Sequence, residues 1–131
     1  MIHTPPTILL VDDDKFLLDM YGMKFTKGGY NAHTSLSVKE ALDVLRGGFD
    51  ADVIVFDLTM PGQDGYAFLQ SMREEHLGDN AKKIVLSNQA TDAEKAKAIE
   101  LGAHDFFVKA TMIPSEVVAK VSGMINVPVL T

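Results

Sequence analysis

The feature that most constrains the fold of this 131-residue chain is the alternation of short apolar runs with segments long enough to be helices. The runs show little of the in-and-out alternation of a half-exposed strand, which is the pattern of strands covered on both faces of a parallel sheet. They occupy residues 7–11, 30–34, 52–56, 83–86 and 105–108, and the second run is the weakest. We therefore predict five parallel strands.

The segments between and after these runs carry the signals of helix ends. They include two Ser/Thr-x-x-Glu capping boxes, glycines at the end of several segments, and a proline suited to a first helical position. The predicted helices cover residues 15–27, the segment from Ser37 to Gly47, residues 63–75, the segment from Thr91 to Gly102, and a segment that begins at Pro114. Right-handed crossovers place such helices on both faces of one sheet, so the predicted fold class is α/β, a doubly wound (βα)5 domain.

Length and charge set limits on the organisation of the chain and on its partners. We expect residues 1–131 to form one domain, with a core at about residues 7–126 and a tail or the start of a linker at 127–131. A net charge of −6 disfavours direct nucleic-acid binding, and the absence of cysteine excludes disulfides and thiolate metal sites. No apolar run approaches the ~18 residues of a membrane span, and the first residues do not have a signal-peptide pattern. We expect a cytoplasmic protein without a membrane partner.

Acidic, hydroxyl and amine side chains follow four of the predicted strands. Asp12 and Asp13 follow the first strand, Asp57 the third, Ser87 the fourth and Lys109 the fifth. Ligands of open parallel sheets bind at the carboxyl ends of the strands, so these side chains are expected to converge. The three carboxylates form an oxygen-only set that suits Mg²⁺, and a phosphoryl group on Asp57 would meet the ion, the ammonium and the hydroxyl. The pattern therefore predicts a phosphoryl-acceptor site.

With these residues in place, the chain resembles the receiver (CheY-like) domain of bacterial two-component response regulators. The acidic pair, the sequence DLTMPG that begins at Asp57, and a serine and a lysine at later strand ends carry the resemblance, which covers about residues 7–126. It implies a flavodoxin-like, five-stranded parallel sheet of order 2-1-3-4-5, with two helices on one face and three on the other. The site residues that it implies are the phosphoacceptor Asp57 with Ser87 and Lys109, the Mg²⁺ ligands Asp12, Asp13, Asp57 and the backbone carbonyl of Thr59, and a switch made of Ser87 and Phe106.

The resemblance also implies the partners. A histidine kinase or a phosphotransfer protein would donate the phosphoryl group in a phosphorelay. The face made of the fourth helix, fifth strand and fifth helix would bind a downstream protein, and the chain would be a monomer or a phosphorylation-dependent homodimer. Such a domain catalyses only its own phosphorylation and dephosphorylation and is not otherwise an enzyme.

Two positions depart from the family pattern. Receiver domains usually have a proline after the lysine, joined by a cis peptide, but here Ala110 follows Lys109. A cis bond before a residue other than proline costs about 3 kcal/mol, so we predict a trans bond with Lys109 still reaching the site. Asn88 replaces a usually small residue, and it either hydrogen-bonds the phosphoryl group or narrows access to it. We expect phosphorylation to be slow or unusual, with Thr59 and Gln89 flanking the acceptor.

Two other functions fit parts of the sequence. Asp12-x-Asp14, Ser87 and Lys109 also resemble the motifs of haloacid-dehalogenase-like phosphatases, but a further acidic pair is absent after Lys109 and Asp57 is left unexplained. The other alternative is a receiver-like interaction module that is never phosphorylated. We expect Asp14 to cap the first helix rather than to bind metal, because a helix N-terminus favours negative charge.

Overall fold

The computed structural model describes residues 2–88 and 91–128. Five strands alternate with five α-helices, and a short 3₁₀ turn, Lys109–Thr111, precedes the last helix. The strands are β1 (Thr7–Val11), β2 (Asn31–Ser35), β3 (Val53–Phe56), β4 (Lys82–Ser87) and β5 (Asp105–Val108). The helices are α1 (Lys15–Lys27), α2 (Val38–Arg46), α3 (Gly65–Glu75), α4 (Asp92–Glu100) and α5 (Pro114–Met124). Gln89 and the last three residues of the predicted tail lie outside the described residues.

The sheet has the order β2-β1-β3-β4-β5, and every pair of neighbouring strands is parallel. Helices α2, α3 and α4 pack one hydrophobic cluster against one face of the sheet, and α1 and α5 pack a second cluster against the other. The predicted fold class, strand order and division into three and two helices are therefore confirmed.

Burial explains why some strands are easier to recognise in the sequence than others. All residues of β1 and β3 are buried, because the side chains on both faces of these strands pack against helices. The edge strand β2 pairs with β1 alone among the described strands and exposes Asn31, His33 and Thr34. A polar edge strand carries a weak apolar signal, and its predicted bounds are one residue too early.

The helix starts were predicted to within two residues, and one capping box forms completely. The Glu94 N–H donates to Thr91 Oγ1 at 3.2 Å, and the Glu94 carboxylate accepts the Thr91 N–H at 3.4 Å. At α2, Ser37 accepts the Glu40 N–H at 3.1 Å, but the Glu40 carboxylate accepts the N–H of Leu36 instead of that of Ser37. The capping box at the start of α2 is therefore only half formed.

Asp64 caps α3, and its carboxylate accepts the Ala67 N–H at 2.9 Å. The helix therefore begins at Gly65, two residues later than predicted. Among the described helices, none is both long and apolar enough to cross a bilayer.

Two histidines near the amino ends of the strands have pKa values shifted in opposite directions. His3 Nδ1 lies 2.9 Å from the buried carboxylate of Asp52, and this hydrogen bond raises the pKa of His3. His104 Nδ1 accepts the Lys83 N–H at 2.9 Å. Burial lowers the pKa of His104, and the positive charges of Lys82 and Lys83 lower it further.

The opposite shifts predict opposite pH dependence of stability. The stabilisation from His3 is complete below its unfolded pKa of about 6.5 and is lost as the pH rises through the raised folded value. That from His104 is present above about 6.5 and is lost as the pH falls through the lowered value. His3→Gln should therefore cost most stability in acid, whereas His104→Gln should gain stability relative to the wild type on acidification. Urea unfolding between about pH 5.5 and about pH 8.5 measures both differences, and profiles parallel to that of the wild type would contradict the assignment.

Candidate functional site

The carboxyl ends of β1, β3 and β5 bring two carboxylates and one ammonium into contact. Lys109 Nζ lies 2.6 Å from Asp12 Oδ2 and 2.7 Å from Asp57 Oδ2. The side chains of Asp12, Asp57 and Lys109 are only 8%, 11% and 10% exposed. Charged groups with this little solvent need a partner, and each of the three has one. The structure thus brings these three residues together as the strand-end argument predicted.

The main chain fixes the orientation of both carboxylates. Asp12 Oδ1 accepts the N–H of Asp14 at 3.0 Å, and Asp57 Oδ1 accepts the N–H of Thr59 at 3.2 Å. In each residue one oxygen faces Lys109 and the other is held by an amide two residues further along. Every carboxylate oxygen has more than one acceptor site, so both groups keep lone pairs for further ligands.

Burial and ion pairing act in opposite directions on the charges of the site. Burial raises the pKa of Asp12, although the hydrogen bond from Lys109 works against it. For Lys109, burial disfavours the ammonium, but the hydrogen bonds to Asp12 and Asp57 outweigh burial and its pKa is raised. Lys109 is therefore a firmly held cation at neutral pH.

Asp13 completes an acidic cluster beside this ion pair. One carboxylate oxygen from each of Asp12, Asp13 and Asp57 lies within 4.8 Å of the others, and Asp13 is exposed. Three carboxylates against one ammonium leave a net charge of −2, which favours a further cation. Hard divalent ions prefer an oxygen-only donor set of this kind, so the residues fit Mg²⁺. Thr59 follows Asp57 closely enough for its backbone carbonyl to be a further candidate ligand.

Ser87 is the last residue of β4 and is buried at the same edge of the sheet. Its partner on β5 is Val108, the residue before Lys109. On its other side, Phe56, the residue before Asp57, pairs with Val85. The strand register therefore places Ser87 between the strands that carry Asp57 and Lys109. Asn88, the next residue, is exposed.

The two phenylalanines of β5 point to different layers. Phe107 is buried in the cluster formed with α1 and α5, which confirms that at least one of the pair belongs to the core. Phe106 is half-buried against the α2–α4 cluster, with Lys95 Nζ 5.9 Å from its ring centre. The predicted switch residue thus lies at the side of the sheet that α4 covers.

The loop after β5 follows the predicted course. Within the described residues the cis peptide is Thr4–Pro5, so the Lys109–Ala110 bond is trans, as predicted. The chain then forms the 3₁₀ turn, and Thr111 Oγ1 donates to the Val108 carbonyl at 3.0 Å. Lys109 reaches both carboxylates without a cis proline to direct the loop.

Gly65 has a role at the site that the sequence argument missed. Its N–H donates to the Leu58 carbonyl at 2.9 Å, and a Cβ at this position would lie 2.5 Å from the backbone oxygen of Asp57. The first turn of α3 therefore rests directly on the loop that follows β3. Glycine is a poor first residue for a helix in propensity terms, and that local cost was the available signal of a close approach.

Comparisons with known proteins agree with this geometry. A family model for the response regulator receiver domain matches residues 8–122. The response regulator SaeR of Staphylococcus aureus is 30% identical over 119 residues, which are 91% of this chain and 50% of SaeR. The chain thus spans about half the length of the curated relatives it matches.

Solved structures give the same result. The receiver domain of the Francisella response regulator 1452 has a TM-score of 0.82 at 28% identity, covering 92% of this chain and 97% of that one. The chemotaxis response regulator CheY4 of Vibrio cholerae has a TM-score of 0.83 at 23% identity, covering 92% and 98%, which supports the fold. The phosphatase alternative gains no support, because its second acid, Asp14, accepts the Leu17 N–H as the cap of α1. The expected capping role of Asp14 is confirmed.

Removal of the ammonium should destabilise the site. We expect Lys109→Met to lower the free energy of unfolding by about 2 kcal/mol without divalent ions, because Asp12 and Asp57 stay buried without a counter-charge. Saturating Mg²⁺ should restore part of this loss. Lys39→Met is the control, because the exposed pair that it breaks with Asp43 (3.4 Å) contributes less than about 0.5 kcal/mol. Urea titrations with and without MgCl₂ measure the effect, and equal losses in the two variants would contradict it.

Proposed function

Because the chain belongs to the response regulator receiver domain family, we propose that it accepts a phosphoryl group on Asp57 in a Mg²⁺-dependent reaction and switches partner binding in two-component signalling. The donor is a phosphohistidine of a histidine kinase or of a phosphotransfer protein. The observation that carries the proposal is the ammonium of Lys109 between the buried carboxylates of Asp12 and Asp57, with Asp13 beside them.

The strand order supports Asp57 as the acceptor. Strand β3 lies between β1 and β4, so Asp57 has the acidic pair on one side and Ser87 on the other. Asp12 follows β1, which lies one strand further than β3 from β4 and β5, the strands that lead to Ser87 and Lys109. A phosphoryl group on Asp57 is therefore the one that Lys109, Ser87 and the acidic pair can all serve.

The reaction is a phosphoryl transfer between side chains. An oxygen of the Asp57 carboxylate forms a bond to phosphorus while the N–P bond of the phosphohistidine breaks, and the released imidazole nitrogen takes a proton. Lys109 Nζ donates hydrogen bonds to the phosphoryl oxygens, and the Ser87 hydroxyl donates to another of them. Asp12, Asp13, Asp57 and the Thr59 carbonyl would hold Mg²⁺, which would supply positive charge to offset the incoming negative oxygens.

The change in partner binding starts from Ser87 and Phe106. Ser87 and Phe106 lie on neighbouring strands, since Val85 of β4 pairs with Phe106. Movement of the Ser87 hydroxyl towards the phosphoryl group frees space near α4 for the half-buried ring of Phe106. Helix α4 is held loosely, because Ala98 is the residue that it buries. We assign the α4–β5–α5 face to the downstream protein, with the chain a cytoplasmic monomer or a phosphorylation-dependent homodimer.

Phosphorylation should depend on one carboxylate. With Mg²⁺ and acetyl phosphate, the intact mass of the wild type should increase by one phosphoryl group, and Asp57→Asn or excess EDTA should abolish the increase. Asp19→Asn, which removes an exposed carboxylate of α1, is the matched control and should be phosphorylated normally. An adduct that persists in Asp57→Asn, or none in the wild type, would reject the proposal.

Asn88 should limit the rate of this reaction. Asn88 is exposed next to the buried Ser87, and from this position we expect its side chain to narrow access to the acceptor. We expect Asn88→Ala to take up phosphate from acetyl phosphate about two- to fivefold faster, a barrier change below about 1 kcal/mol. Slower uptake in the variant would instead assign Asn88 a hydrogen bond to the phosphoryl group.

A further inference from the structure

A basic cavity lies at the end of the sheet opposite the acidic site. It has a volume of about 310 Å³ and opens between α3, the C-terminal end of α4 and the amino ends of β4 and β5. The lining residues that matter here are Arg73, His76, Asp79, Lys83, Gly102 and His104. Four of these can carry positive charge and one is acidic, in a chain whose net charge is −6.

The two permanent cations of the cavity have only neutral partners. Lys83 Nζ donates to the Gly78 carbonyl at 2.7 Å, and Arg73 Nη2 donates to the Glu100 carbonyl at 2.9 Å. Across residues 2–88 and 91–128, neither forms an ion pair with a carboxylate. Arg46 of the adjacent α2 differs, because two of its nitrogens each lie 2.7 Å from Glu75 oxygens. Arg73 and Lys83 thus keep donors and charge available to a ligand.

Burial is the main cause of the pKa shifts of two groups in the cavity. Burial lowers the pKa of Lys83; Asp79 opposes this shift and Arg73 adds to it. His104 also has a lowered pKa, from burial and from the positive charges of Lys82 and Lys83. Asp79, whose carboxylate lies 3.5 Å from His76 Nδ1, offsets only part of the charge.

His104 adds a neutral donor to this set. Its Nδ1 accepts the main-chain N–H of Lys83, so in the neutral ring the hydrogen is on Nε2. The cavity is therefore lined by a guanidinium, an ammonium and an imidazole N–H, and its volume of about 310 Å³ is large enough to admit a phosphate group. Proteins commonly bind phosphate with a planar guanidinium, which donates two parallel hydrogen bonds, and with a compact ammonium charge.

We propose that this cavity binds a dianionic phosphate, either inorganic phosphate or the head of a phosphomonoester. The site is separate from the phosphoryl acceptor, since Lys83 and His104 lie at the amino ends of β4 and β5 and Ser87 and Lys109 at their carboxyl ends. It needs no metal ion, because the cavity itself supplies the positive charge.

The binding test is an NMR titration at constant ionic strength with EDTA present, which leaves the acidic site without a cation. Inorganic phosphate and phenyl phosphate are the two ligand arms, and sodium chloride is the reference salt. We expect saturable shifts of the Gly102 amide and the His104 ring, together with a rise in the pKa of His104. Tighter binding of inorganic phosphate or of phenyl phosphate identifies the source of the phosphate. Shifts that do not saturate, or that chloride reproduces, would overturn the proposal.

Two variants with opposite expected effects on phosphate affinity distinguish a change at the site from misfolding, which would only weaken binding. Arg73→Gln/Lys83→Gln should weaken phosphate binding by at least about tenfold, because it removes both charge-assisted donors. Asp79→Asn should strengthen binding about two- to threefold, because it removes the acidic group from the cavity. Lys24→Gln, on the exposed side of α1, is the matched control and should bind like the wild type. Unchanged binding in the double variant, or weaker binding in Asp79→Asn, would overturn the proposal.

Discussion

The contact on which the acidic end of this molecule depends is the one between Lys109 and two buried carboxylates. Asp12 and Asp57 come from neighbouring strands, and both would be strongly disfavoured as anions without a counter-charge. Lys109 follows β5, which is separated from β3 by β4, so its side chain has to extend along the edge of the sheet to reach them. The Lys109 ammonium therefore links the ends of three strands. The three carboxylates of the cluster still outweigh its single positive charge. A site that is stable yet undercharged is suited to a reaction that brings a cation and an anionic group together.

Two routes lead from the loop that follows β3 towards α4. One follows the pairing of β4 with β5, in which Ser87 is opposite Val108 and Val85 is opposite Phe106. The other passes through α3, where Gly65 rests on the backbone of Asp57 and Tyr66 Oη donates to the Glu94 carbonyl in α4 at 3.3 Å. Since α4 contributes little to the core, small shifts at either contact can change its position at low cost. The helix that buries the fewest of its own residues is thus the one that both routes reach.

The sequence predicted the site well because parallel sheets bring their carboxyl ends to one edge. Knowing that Asp12, Asp57 and Lys109 follow strands was enough to predict their convergence. The sequence could not predict contacts for which two neighbouring groups compete. An example is the Glu40 carboxylate, which accepts the Leu36 N–H and not that of Ser37. The basic cavity could not be predicted from the sequence either, for a related reason. Its residues come from α3, the loop after it, β4 and the turns beside β5, and no spacing in the sequence links them.

The two ends of the sheet differ in what they require to hold a phosphate. Lys83 and Ser87 are four residues apart on one strand, or about 13 Å at the rise of an extended chain. The two sets of charged side chains therefore lie at opposite ends of the sheet and not in contact. At the acidic end three carboxylates outnumber one ammonium, and an anion is repelled until a divalent ion is present. At the basic end the cations outnumber Asp79, and an anion is attracted without one. The opposite polarity follows from which side chains lie at the two ends of the same strands, and under the two proposals it lets one small domain bind the same chemical group in two ways.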